Sequence, residues 1–187
     1  MADDHNFHIS VFGHIDSVYF PGGLIGDSVF MRYEFVAGES WEIISGCETG
    51  ISQTSSPGSK MEFIAFNVPI EVTFRSSTPS GWPQLILSVY GINIWGIENI
   101  LGYGRVHVPV NPSSRSTIEV DLSVPRWNNR CPSFPCYVSF KNREIGDPKI
   151  LADGRIDSQL QTISYGTVKL ELQLATRGLS SMHLDCA

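Results

Sequence analysis

Val68-Pro69-Ile70-Glu71-Val72-Thr73-Phe74-Arg75, Leu85-Ile86-Leu87-Ser88-Val89-Tyr90 and Tyr103-Gly104-Arg105-Val106-His107-Val108-Pro109-Val110 are three apolar runs cut by two turn-rich loops. In the first, Ile70, Val72 and Phe74 alternate with Glu71, Thr73 and Arg75. A period of two is the signature of a strand with one face in a core. The second run is apolar at nearly every residue, as in a strand covered on both faces. The third alternates again through Gly104, Val106, Val108 and Val110. Read together, these runs predict three adjacent strands in the middle of an antiparallel sheet.

Outward from this centre the same pattern repeats. Phe7, Ile9, Val11 and Ile15 alternate with polar residues, and so do Val29, Met31, Tyr33 and Phe35. Trp41 to Ile44 and Ile51 to Thr54 read as short pieces. Phe63 to Phe66 leads into the first run. Ile118, Val120 and Leu122 form a return strand expected to pair with Val106 to Val110 as a hairpin across Asn111-Pro112-Ser113-Ser114. Tyr137 to Phe140 and Ile150 to Ile156 follow, with a turn at Gly146-Asp147-Pro148. The final strand places Val168, Leu170, Leu172 and Leu174 on one face. No stretch of ten or more residues carries a helical stripe. Roughly eight strands at close intervals predict an all-β antiparallel sandwich of about eight strands. One domain is expected over residues 7–176, between a disordered N-terminal tail (1–6) and a C-terminal tail (177–187).

Composition narrows the function. The chain has 187 residues, 42% hydrophobic and 17% charged, with a formal net charge of -6. Its 13 basic residues are scattered rather than clustered. Nucleic acid is therefore not an expected partner, because counterion displacement needs a basic patch. No apolar run approaches the ~20 residues of a membrane-spanning helix. The acidic, polar start Met1-Ala2-Asp3-Asp4-His5-Asn6 is unlike a secretory signal. A cytoplasmic chain with four reduced cysteines is the expectation.

No catalytic constellation emerges. His5, His8, His14, His107 and His183 have no second metal ligand at suitable spacing. Cys131 and Cys136 lie in a Pro-rich stretch without a further Cys or His pair, and Cys47 and Cys186 stand alone. Gly102-x-Gly104 precedes a strand rather than a helix, so it is not a phosphate cradle. No nucleophile has a plausible base nearby. The sequence predicts a non-enzyme with no cofactor and no metal.

The segment Val89-Tyr90-Gly91-Ile92-Asn93-Ile94-Trp95-Gly96-Ile97-Glu98-Asn99-Ile100-Leu101-Gly102 resembles the calcium-binding loop of C2 domains. In that family aspartates stand where this chain has Gly91, Asn93 and Asn99. Calcium takes six to eight hard oxygens, several of them charged. Glu98 alone does not replace three carboxylates, so the resemblance implies the loop frame without its ion site. What remains is apolar: Ile92, Ile94, Trp95 and Ile97. Two readings stay open. Trp95 either folds inward to cap the sandwich, or joins an exposed patch for a protein or membrane contact.

A broader resemblance is to the B9 domain family. It is carried by Phe35-Val36-Ala37-Gly38 with Trp41, by Ser45-Gly46-Cys47-Glu48-Thr49-Gly50-Ile51-Ser52-Gln53, by Pro69 to Arg75 running into Gly81-Trp82-Pro83-Gln84 and on to Gly91, and by Gly102 to Pro109. Asp147-Pro148-Lys149 and the last strand extend it to about Ala175. The stretch from Trp127 to Cys136 departs from the pattern. The resemblance implies a C2-like sandwich without calcium. It also implies a non-enzymatic part of the Meckel-type complex at the ciliary transition zone. Its partners there would be two further B9 proteins, B9 domain-containing protein 2 and the Meckel-type B9 protein, and the assembly would gate entry of membrane proteins into the cilium. Trp82 belongs to this pattern and also has two readings, a corner that staples the two layers or a partner hot spot. Gly81 permits the turn there and Pro83 fixes strand entry.

Overall fold

Alternation decides which side chains face inward. In the computed structural model, which describes residues 6–21, 28–58, 62–111, 115–125, 144–152 and 162–179, Ile70, Val72 and Phe74 are buried and Glu71 is exposed. Among the described residues nine strands form: β1 Phe7–Tyr19, β2 Ser28–Val36, β3 Trp41–Gly46, β4 Thr49–Ile51, β5 Phe63–Ser76, β6 Gln84–Ile92, β7 Glu98–His107, β8 Ser116–Pro125 and β9 Thr162–Arg177. They make one antiparallel sheet in the order β3-β5-β1-β9-β8-β7-β6-β2-β4. The sheet curls so that its inner faces meet. Phe35 on β2 and Phe74 on β5, near opposite ends of that order, touch edge to face at 5.8 Å. One core takes in Phe7, Ile9, Val11, Met31, Leu85, Leu87, Leu170 and Leu172, among others. The all-β antiparallel architecture is as the periodicity predicts, with nine strands rather than eight. The three-residue β4, Thr49–Ile51, lies at the start of the short piece read from Ile51 to Thr54.

Two expected pairings differ. β5 is not adjacent to β6: it lies between β3 and β1, while β6 lies between β7 and β2. The chain from Ser77 to Pro83 therefore crosses between the two halves of the sheet instead of closing a hairpin. The β7–β8 hairpin is likewise reduced to the single pair Tyr103↔Ser123. β8 pairs along its length with β9, from Ser116↔Leu172 to Pro125↔Thr162. Periodicity gives each strand its inward face but not its neighbour, which is why both pairings escape it. Ile150 and Leu151 lie in a short 3₁₀ turn, Pro148–Leu151, rather than a strand, and the Asp147 side chain caps it by accepting from the Lys149 N–H at 3.0 Å. Tyr137 to Phe140 lies outside the described residues. The core also takes in Leu179, 6% exposed, beyond the boundary read from the sequence.

Glycine acts at two close approaches. Cβ atoms on Gly102 and Gly104 would come within 2.8 Å of Leu122 and Val120. The Gly-x-Gly pair thus lets β8 side chains pack directly on β7 at the fold-over. Gly81 sits at φ +71°, and a Cβ there would lie 2.6 Å from the Gly38 Cα. The Gly38 N–H donates to the Gly81 carbonyl at 2.9 Å in the same contact. Gly81→Ala is therefore expected to cost about 2 kcal/mol in denaturant unfolding. Gly58→Ala, where nothing lies within 4 Å, should be nearly neutral.

Candidate functional site

β6 and β7 form a hairpin registered from Gln84↔His107 to Ile92↔Glu98. Its loop is tied to one side chain. Asn93 Oδ1 accepts the N–H groups of Trp95 at 3.0 Å and Ile97 at 2.9 Å. The Asn93 N–H donates to the Ile97 carbonyl at 3.1 Å, and the Gly96 N–H donates to the Asn93 carbonyl at 2.9 Å. This local use of an asparagine side chain in a turn holds the backbone without help from the core. The loop turns Ile94, Trp95 and Ile97 outward, at 69%, 66% and 53% exposure. Trp95 does not cap the sandwich. Ile92 differs from these three, being half-buried against a second small cluster of Phe30, Tyr90, Ile100 and Tyr103.

Trp82 is far from this tip. It precedes β6, whereas the tip follows it, roughly 26 Å away at strand rise. The half-buried Trp82 indole packs on the core and donates from Nε1 to the Val108 carbonyl at 2.9 Å. Its ring meets Trp41 edge to face at 5.3 Å. Trp41 in turn contacts Phe7 and Phe74 and donates to the Ser80 carbonyl at 2.8 Å. The corner thus joins β3, the β5–β6 crossing and the end of β7. Trp82 and Trp95 thus stand beyond opposite ends of β6.

The tip residues do not suit calcium. Asn93 Oδ1 is already shared by two backbone N–H groups. Gly91 brings no side chain, and its α-carbon faces Leu101. The Asn99 amide donates to the Ile97 carbonyl at 3.5 Å. Glu98 is the one carboxylate of the loop, too few for a hard dication. Among the described residues no three of His, Cys, Asp and Glu come together as metal ligands.

Register also creates a site that reading the sequence alone missed. The fully buried β6 needs cover on its outer face, and residues 144–152 supply part of it. The Ile145 N–H donates to the Tyr103 hydroxyl at 2.8 Å, and Arg105 donates to the Leu151 carbonyl at 2.7 Å. The Tyr90 hydroxyl donates to the Glu144 carboxylate, and Lys149 pairs with Glu34 at 3.0 Å. Burial raises the phenol pKa of Tyr33, Tyr90, Tyr103 and Tyr165. For Tyr90 the Glu144 bond raises it further, since both hold the proton on. A folded-state pKa above the unfolded one contributes stability below the ordinary tyrosine value of about 10 and loses it as pH rises further. The thermal midpoint is therefore expected to fall as pH is raised from 9 to 11, and Tyr90→Phe should flatten part of that fall.

The family model described as "Ciliary basal body-associated, B9 protein" matches residues 9–175. The chain belongs to the B9 family. Among B9 relatives, B9 domain-containing protein 1 of Drosophila melanogaster is 37% identical over 179 residues, covering 92% of this chain and 74% of the relative. The protein of the same name from Homo sapiens is 34% identical, covering 96% and 86%. B9 domain-containing protein 2 of Homo sapiens is 26% identical, covering 92% and 97%. A solved C2A domain of plant Extended Synaptotagmin 1 superposes with TM-score 0.46 at 14% identity, covering 89% of this chain and 92% of that one. The B9 match spans β1 to β9 and so includes both the Trp82 corner and the β6–β7 tip.

Proposed function

We infer that this B9 chain is a non-enzymatic scaffold of the transition-zone assembly at the base of the cilium, on its cytoplasmic side. Its partners are other B9 sandwiches, B9 domain-containing protein 2 and the Meckel-type B9 protein, joined in a hetero-oligomer. In that assembly it supports ciliogenesis and the gate that selects ciliary membrane proteins. The family description, ciliary basal body-associated, supports a place at the base of the cilium. The observation that carries the docking role is the β6–β7 tip, where three large apolar side chains stand in solvent on a loop held by Asn93. A preordered apolar anchor loses little conformational entropy on binding and fits the aromatic-centred anatomy of protein contacts. Co-expression with B9 domain-containing protein 2, followed by size-exclusion chromatography, tests it. Co-elution at the mass of a complex is expected, whereas two folded chains eluting apart would contradict the reading.

A second reading uses the same tip on a different partner, as a calcium-independent peripheral membrane module. Exposed Trp95 is an amphipathic ring of the kind that sits at lipid interfaces. Co-sedimentation with liposomes, with and without calcium, separates the two readings. Pelleting that ignores calcium would favour the membrane. Calcium-dependent pelleting would contradict the reading of Gly91, Asn93 and Asn99 as a loop without an ion site.

A further inference from the structure

Among the described residues the tryptophans differ in what their indole N–H groups do. Those of Trp41 and Trp82 donate to the Ser80 and Val108 carbonyls. Trp95 enters hydrogen bonding through its backbone N–H alone, so its indole N–H is uncommitted. Two features fix where that ring stands. Oδ1 of Asn93 takes the Trp95 and Ile97 N–H groups together. Gly96 between them lies at φ +75°, with nothing within 4 Å of where a Cβ would point. The turn is thus set by backbone conformation and one side-chain oxygen, not by packing. Among the described residues the amide nitrogen of Asn93 takes no part in holding it.

A fixed arrangement of side chains matters to a partner with a shape of its own. A lipid interface rewards buried apolar area and basic charge whatever the loop's conformation. A protein pocket accepts one conformation, and an anchor already in it loses less entropy on entering. The charge beside the tip points the same way. Glu98, next to Ile97, is exposed and, among the described residues, unpaired. No Lys or Arg lies between Gly91 and Gly104 to meet anionic headgroups.

We propose that the tip is a plug for a preformed pocket in the partner B9 sandwich, with Asn93 as its positioning residue. This rests on the docking role of the tip given above. The pocket is apolar, to take Ile94, Trp95 and Ile97. It also carries one oxygen acceptor, because an indole N–H that becomes buried ordinarily finds a partner. Asn93 touches nothing in the pocket and acts through the backbone of the residues it holds. Trp95→Phe keeps the ring but not the donor, and is expected to bind about fivefold more weakly.

The test compares Asn93→Ala, Gly96→Ala and Asn93→Asp in the full chain. Affinity is read by titration calorimetry against B9 domain-containing protein 2, and backbone order by ¹⁵N relaxation of each chain alone. The unaltered tip is expected to be as rigid as the strands, with order parameters of about 0.85 at Trp95 and Ile97. Asn93→Ala and Gly96→Ala should lower those values below about 0.6 and weaken binding about tenfold. Neither change removes a contact side chain, so thermal midpoints should stay within about 3 °C. Asn93→Asp keeps the acceptor oxygen and should restore both order and affinity. A mobile tip in the unaltered chain, or full affinity in both loosened variants, would overturn the proposal while the complex itself stands. Absence of any complex would instead overturn the docking role, and the plug with it. Equal pelleting of the unaltered chain and Asn93→Ala on vesicles of phosphatidylcholine and phosphatidylserine would assign the tip to lipid and likewise overturn the proposal.

Discussion

Trp82→Ala is expected to lower the thermal midpoint by roughly 6–12 °C. The indole is half-buried, so the loss lies near the lower end for tryptophan truncation, about 3 kcal/mol. At this chain length each kcal/mol moves the midpoint by roughly 2–4 °C. The physical reason is position. Trp82 fills the corner where the chain leaves β5 for β6, and it holds the carbonyl of Val108 just past β7. Its contact with Trp41 reaches β3 at one end of the sheet order. Removing it opens the crossing between both halves and leaves a buried carbonyl unpaired. Trp82→Phe keeps ring contact but not the N–H donor, and should cost about 1 kcal/mol. Binding should fall with stability in the alanine variant. Lost binding at an unchanged midpoint would make Trp82 a contact residue instead of a staple.

The second large effect belongs to the tip. Replacing Ile94, Trp95 and Ile97 together by serine is expected to weaken the complex with B9 domain-containing protein 2 at least about 30-fold, the loss of one central hot spot. The midpoint of the isolated chain should stay within about 2 °C, because all three side chains are exposed and pack on nothing in the core. The pair of variants therefore separates two kinds of tryptophan in one protein. On the proposed function Trp82 works through the fold, and Trp95 would work through a partner. Titration calorimetry for affinity and differential scanning calorimetry for stability read both.

How much of this was legible in the sequence depends on range. The inward faces of β1, β2, β5 and β9 follow from period-two patterning, because each residue's side is set by its own strand. β6 reads as buried on both faces, and it is. Partnership between strands is a non-local property. Nothing in Val106 to Val110 says that Ile118 to Leu122 pairs instead with β9. Gly102 and Gly104 carry a readable hint, since two glycines in a strand mark a close approach of another chain. The tip is legible in part: its apolar residues are evident, but their outward aim depends on the Asn93 bonds. The contact of Phe30 with Tyr90 is not legible at all. Tyr90 lies far along the chain and is beside Phe30 only through the β2–β6 register.

The B9 sandwich as a calcium-free docking surface is tested most directly by titration calorimetry of the purified chain against purified B9 domain-containing protein 2, first with calcium and then with excess chelator. Saturable binding with the same affinity in both conditions is the expected result. Folded proteins that give no binding heat, or binding that disappears when calcium is removed, would contradict it.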